Sequence, residues 1–157
     1  TKAFDVHENF NAIGSCAKKE YTYRIYNSRI KNPFYVNRAW FYPKHLDEKI
    51  MQAAADQFVG THDFSAFMAQ GSNVSTTVRT VVSASIVKEG KTIIFRVAAD
   101  GFLYNMVRIF TGTLVDVAYG KLSAEDIPAI IASMDRRNAG TTAPPHGLYL
   151  NKVNYNL

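Results

Sequence analysis

From Gly101 to Val115 the chain carries a single charge, Arg108, set among Phe102, Leu103, Met106, Val107, Ile109, Phe110 and Leu114. Phe102, Met106, Phe110, Leu114 and Val117 recur at helical spacing, which predicts a helix from Phe102 to about Tyr119, with Gly120 as its stop signal. A helix this apolar has to be covered on most of its surface, so the fold must be layered around it. Arg108 is then costly to bury unless a carboxylate and further acceptors satisfy it. Asn105, Arg108 and Thr111 share one face by i,i+3 spacing, so the alternative is a narrow exposed strip. A polar strip this thin between wide apolar flanks fits the wall of a cleft better than open surface.

The remaining periodicities supply the layers. Residues 19–27 are rich in Tyr and Ile and read as a strand, broken by Asn32-Pro33. Leu46, Ile50, Ala54 and Phe58 mark a helix over 46–59, ended by Gly60. Thr76–Val87 is β-branched, with Val82, Ala84 and Ile86 assigned to one face. Glu89-Gly90 is a turn signal and Thr92–Ala98 the returning strand. Ser123-Ala124-Glu125-Asp126 resembles a capping box at the start of a short helix reaching about Met134, and Leu148–Tyr155 alternates as a last strand. The order βαββαβ, with one extra helix, predicts an α+β ferredoxin-like mixed or antiparallel sheet with helices on one face. Neither repeat nor linker divides the 157 residues, so they are expected to form a single domain, 1–157.

Composition narrows the class. With 47% hydrophobic and 20% charged residues the chain is globular. No apolar run spans a bilayer, and Thr1-Lys2-Ala3-Phe4 has no signal-peptide layout. One cysteine, Cys16, excludes an internal disulfide and cysteine-based zinc clusters, and a cytoplasmic setting is expected. The net charge of +5 is unevenly spread: Lys18, Lys19, Arg24, Arg29, Lys31, Arg38 and Lys44 are opposed between positions 18 and 44 only by Glu20. Interleaved with Tyr21, Tyr23, Tyr26, Phe34, Tyr35 and Trp40, they suit RNA, a polyanion with stacking faces. A solvated basic edge strand and loop explains the same charges equally well.

Other candidate sites are thinner. Tyr21 and Tyr23 share one side of the first strand beside Lys18-Lys19, where an aromatic could stack on a base, although core packing is the expectation for Tyr23. His62-Asp63 sits in a turn that capping by Thr61 or Asp63 explains without chemistry. His7, His45, His62 and His146 show no metal-ligand spacing, so no metal is expected, and no glycine-rich phosphate loop occurs.

Taken together, four stretches resemble the tRNA pseudouridine synthases of the TruA type. They are Lys19-Glu20-Tyr21-Thr22-Tyr23; Gly60-Thr61-His62-Asp63-Phe64-Ser65 followed by Thr77-Val78-Arg79; Gly101-Phe102-Leu103-Tyr104-Asn105-Met106-Val107-Arg108; and Thr142-Ala143-Pro144-Pro145-His146-Gly147-Leu148-Tyr149-Leu150. They occur in family order across nearly the whole chain. The resemblance implies conversion of uridine to pseudouridine in the anticodon arm of tRNA, without cofactor or metal, by an enzyme that is a homodimer at full length. It implies that Tyr21 stacks on the target base, that Leu148 is an apolar wall of the base pocket, and that Arg108 pairs with a catalytic aspartate. Lys18, Lys19, Arg24, Arg38 and Arg79 are the expected RNA-binding residues.

One family element has no counterpart. The catalytic aspartate belongs to an Arg-Thr-Asp-x-Gly-Val-His segment, and none of the eight aspartates here lies in such a context. The chain also lacks an initiator methionine. The expectation is a C-terminal domain without its N-terminal half, inactive on its own, in which Arg108 lines an open cleft near Tyr21 and Leu148 with no catalytic carboxylate. Two other readings compete. A non-catalytic ferredoxin-like RNA-binding module would place aromatics on adjacent central strands, yet the Gly-Phe-x-Phe-Val pattern of RNA-recognition motifs is missing. A small structural or oligomerising domain would leave Arg108 and the basic stretch without a role.

Overall fold

The computed structural model describes residues 5–12, 14–71 and 73–155, so the first four residues discussed above lie outside it. In chain order the elements are β1 (Cys16–Asn27), β2 (Trp40–Tyr42), α1 (Glu48–Asp56), β3 (Gly60–Asp63), β4 (Val78–Glu89), β5 (Thr92–Ala99), α2 (Met106–Ala118), α3 (Asp126–Ser133) and β6 (Leu148–Tyr155). The sheet runs β2-β1-β5-β4-β3, and β6 also pairs with β1. All pairings are antiparallel except β1 with β2. Stripped of the short strands β2 and β3, the order β6-β1-β5-β4 is the expected ferredoxin-like sheet.

Alternation along the central strands separates two faces. Tyr23 and Ile25 of β1, and Ile93, Phe95 and Val97 of β5, enter one core with residues of α1 and α2, whereas Arg24 and Arg96 point away and are exposed. The helices therefore cover one face. Within the core, Phe58, Phe64, Phe67 and Phe110 form a ring cluster, with Phe58 and Phe110 stacked at 4.0 Å.

Several local expectations need correction. Ile50 is exposed, and α1 buries Met51, Ala54 and Ala55, between buried Leu46 and Phe58, because its apolar stripe is set one residue later. Asp47 caps this helix by accepting from the Lys49 and Ile50 amides. On β4 a register shift between Val81 and Ser83 turns Val81 inward and leaves Val82 exposed. The Ser123–Asp126 box supplies one arm: the Asp126 carboxylate accepts from the Ser123 amide at 2.7 Å. The long helix begins at Met106, not Phe102, because Asn105 adopts the left-handed conformation (φ 59°, ψ 10°). Thr111 is fully buried, its hydroxyl bonded to the Val107 carbonyl, so no exposed Asn105–Arg108–Thr111 strip exists. The short strands β2 and β3 were not legible as strands.

Candidate active site

The delayed start of α2 shapes a cleft. Tyr104 and Asn105 form a turn ahead of the helix, so Phe102 leaves the helical stripe and meets Tyr21 edge to face at 5.1 Å. Tyr21, Phe102, Tyr104, Asn105, Arg108 and Leu148 line a cavity of about 240 Å³, closed at its base by Leu103, Met106 and Val107. Tyr104 is exposed at the rim, while Tyr21 and Leu148 are half-buried on β1 and β6. The structure thus brings Tyr21, Arg108 and Leu148 to one cleft.

Arg108 is half-buried and held by neutral acceptors. Its Nε–H donates to the Ala143 carbonyl at 2.7 Å and its Nη1 to Asn105 Oδ1 at 2.8 Å. Among the described residues it has no ion pair. Asp100 accepts from the Thr80 amide, and Asp116 is paired with Lys121 at 2.8 Å. With Nε and one Nη1 hydrogen engaged, the end of the guanidinium remains free to take an oxygen anion.

The segment 139–144 fixes this arginine. Gly140 N–H donates to Thr113 Oγ1, Thr141 N–H to Asp116 Oδ2, and Ala143 N–H to the Arg108 carbonyl. The approach to α2 is so close that a Cβ on Gly112 would lie 1.6 Å from the Thr141 carbonyl oxygen. From the sheet side, Tyr23 Oη donates to the Pro144 carbonyl at 2.6 Å. Tyr23 is fully buried, so its role is core packing and support of this segment. Burial pushes its hydroxyl well above the ordinary tyrosine range, and the Arg108 charge offsets only part of the rise.

The basic residues divide between the faces. Lys18 and Lys19 are half-buried ahead of Tyr21 on β1, and alternation puts Lys19 on the Tyr21 side and Lys18 on the side of Arg24. Arg79 donates to the Thr76 and Val78 carbonyls and packs against Gly101, next to the Phe102 wall of the cleft. Arg24 and Arg38 lie elsewhere: Arg24 stands 5.0 Å over the Tyr149 ring, and the Arg38 carbonyl accepts from Tyr149 Oη. The register puts Thr22 beside Arg96, Arg24 beside Ile94 and Tyr26 beside Thr92 on this face, so the central strands β1 and β5 carry no aromatic pair of the RNA-recognition kind there; Tyr26 is paired instead with Phe41 of the short strand β2.

His62 and Asp63 sit in β3. They lie in a strand and not in the expected turn; Asp63 Oδ1 accepts from the Ser65 amide at 2.9 Å, but the 3-10 turn Ser65–Phe67 has Phe64 at its N-cap position and no side-chain cap there. Burial alone would raise the Asp63 carboxyl, but hydrogen bonds from the Ser65 amide and Thr77 outweigh it and hold the group below the usual carboxylate range. Among the described residues no cluster of three or more His, Cys, Asp or Glu could hold a metal ion, and no helix is long and apolar enough to cross a membrane. Sequence reasoning missed Asn105 as the partner of Arg108, and Ala143 and Pro144 as the acceptors that hold Arg108 and Tyr23. The signals for Asn105 were an αL-tolerant Asn before an apolar helix and its i,i+3 spacing to Arg108.

Comparison with known proteins adds to this geometry. A family model described as tRNA pseudouridine synthase matches residues 54–156. The tRNA pseudouridine synthase A of Acetivibrio thermocellus is 48% identical over 151 residues, covering 96% of this chain and 60% of the relative. That of Thermoanaerobacter sp. is 45% identical over 156 residues, covering 98% and 63%. The tRNA pseudouridine synthase A 1 of Bacillus cereus is 43% identical over 149 residues, covering 95% and 60%. The chain thus spans about three-fifths of the length of the curated relatives it matches.

Proposed function

This chain belongs to the tRNA pseudouridine synthase family, and from that premise we propose that it is the C-terminal domain of a TruA-type enzyme that isomerises uridine in the anticodon arm of tRNA. The observation that carries the reading is the meeting of Tyr21, Arg108 and Leu148 in one cleft, with Arg108 held by neutral acceptors only.

The reaction moves the uracil from an N-glycosidic to a C-glycosidic link, so the target nucleotide has to leave the helical stack and be held while its glycosidic bond is broken and remade. Tyr21 offers the flat face, steadied edge-on by Phe102, and Leu148 the apolar wall. Arg108 takes a catalytic carboxylate from a segment outside these residues and keeps it ionised as a nucleophile or base. The free end of its guanidinium supports this assignment, as does the engagement of Asp63, Asp100 and Asp116 elsewhere. Lys19 and Arg79 hold RNA phosphates around the cleft, and Lys18, Arg24 and Arg38 do so on the other face. The complete enzyme is a cytoplasmic homodimer.

The test uses the chain as it stands with an unmodified tRNA transcript. The expected result is binding that weakens steeply with salt and no pseudouridine formed. Pseudouridine formed by this chain alone and abolished by Tyr21→Phe would overturn the assignment of the carboxylate to another segment.

A further inference from the structure

The loop between β1 and β2 breaks the usual rule for surface segments. Within seven residues it exposes Ile30 (77%), Phe34 (81%) and Val36 (62%). Clustered apolar exposure of this kind marks a contact surface. Beside these side chains lies a cavity of about 210 Å³, separate from the Tyr21–Arg108 cleft. Its walls are flat rings: Tyr26 and Tyr35 stack at 4.3 Å and 15°, and Phe41 stands 6.4 Å from Tyr26. Lys31 Nζ is 5.6 Å from the centroid of the Phe41 ring, and Asn32, Asn37 and His146 add polar groups to the lining. Asn37 takes the left-handed conformation at the lip, with φ 58°.

Charge selects the occupant. Between positions 28 and 44 the chain has Arg29, Lys31, Arg38 and Lys44 and no carboxylate. A second copy docked symmetrically on this surface would set those cations against their own images, which is repulsive. A neutral apolar partner would leave them unused. A polyanion with flat faces uses both the rings and the charges.

We infer that this cavity is a second base-binding site, which takes one unpaired nucleobase of an RNA against Tyr35 and Phe41 while Lys31 and Arg29 hold the adjoining phosphates. The inference rests on the reading that the chain handles RNA, and it adds a contact remote from the reacting uridine. Tyr26 is five residues beyond Tyr21 on β1 and faces the opposite side of the sheet, roughly 17 Å along the strand. His146 at its lip is two residues from Leu148 of the first cleft, so the β1–β6 edge lies between the two sites. The site therefore contributes to affinity and placement, not to the chemical step.

The test titrates the chain with a labelled oligouridylate of about ten nucleotides and with a tRNA transcript, against Tyr35→Leu and Lys31→Gln. Tyr35→Leu keeps apolar volume but loses the stacking face. It is expected to weaken oligouridylate binding about five- to a hundredfold with the salt slope unchanged. Lys31 is exposed, so Lys31→Gln tests the site even if Tyr35→Leu loosens the loop, and it should lower the salt slope by about 0.7. Unchanged oligouridylate affinity in both variants overturns the second site. So does a concentration-dependent dimer of the parent chain, seen by light scattering, that Phe34→Ser disrupts while RNA affinity stays the same; the surface then belongs to a second copy. If the transcript binds, and Tyr21→Leu and Arg79→Gln weaken it while the loop variants do not, only the second site fails. If the parent chain binds no RNA, the proposed function fails with it.

Discussion

The Tyr21–Arg108 cleft and the β1–β2 loop both combine aromatic rings with cations, yet they are built in opposite ways. In the cleft every functional group is held from behind: Arg108 by Asn105 and Ala143, Tyr21 by Phe102, and the 139–144 segment by Tyr23, Thr113 and Asp116. In the loop Phe34 and Ile30 stand in solvent, and among the described residues the cations make no ion pairs. A bond-breaking step needs reacting groups fixed in advance, whereas a contact that only adds affinity tolerates mobility. The difference teaches which region should respond in rate and which in binding.

The sharpest way to break this contrast is at the back of the cleft. Gly112→Ala puts a methyl group into the Thr141 carbonyl, and neither backbone can yield cheaply. A loss of roughly 3 kcal/mol or more is expected in urea unfolding. A near-neutral result would mean that the 139–144 segment is not tightly held. Next in size is Asn105. Asn105→Gly suits the left-handed backbone but removes the acceptor for Arg108. In the complete enzyme it is expected to lower the single-turnover rate about 10- to 100-fold while tRNA affinity stays near that of the parent.

Tyr23→Phe removes the hydroxyl bonded to the Pro144 carbonyl and should cost about 1–2 kcal/mol. It also carries a pH signature. The folded hydroxyl titrates above its unfolded value near pH 10, so its contribution is fully present below that pH and is lost as pH rises towards the folded pKa. The alkaline loss of stability above pH 10 should therefore be shallower in Tyr23→Phe. The smallest effect belongs to the loop. Phe34→Ser, at an exposed position, should change folding stability by less than about 0.5 kcal/mol. A larger loss would show that the loop is packed after all.

The same contrast explains what the sequence could reveal. Long periodic elements were legible: β6 begins and ends where alternation places it, and β1, β5 and α2 lie within a few residues of expectation. Arg108 stood out because a cation in an apolar stretch demands acceptors. The acceptors themselves could not be read, since they are the Ala143 carbonyl, thirty-five positions away, and an Asn whose backbone conformation is decided by packing. Phe102 was assigned to the helix because i,i+4 spacing cannot tell a helical residue from one just ahead of a left-handed turn. Val82 failed similarly, since a single β-bulge reverses which face the next residues occupy. The strands β2 and β3 have only three and four residues, too few for alternation to register.

The most direct test of the central claim is Arg108→Lys in the complete enzyme, assayed for pseudouridine in a single turnover at saturating tRNA. Lysine keeps the charge but cannot hold the Ala143 carbonyl, Asn105 and a carboxylate together in a planar fork. The account predicts a fall of about a hundredfold or more in rate with tRNA affinity nearly unchanged. A parent-like rate, or a loss confined to tRNA affinity, would contradict the claim that Arg108 serves the reacting centre.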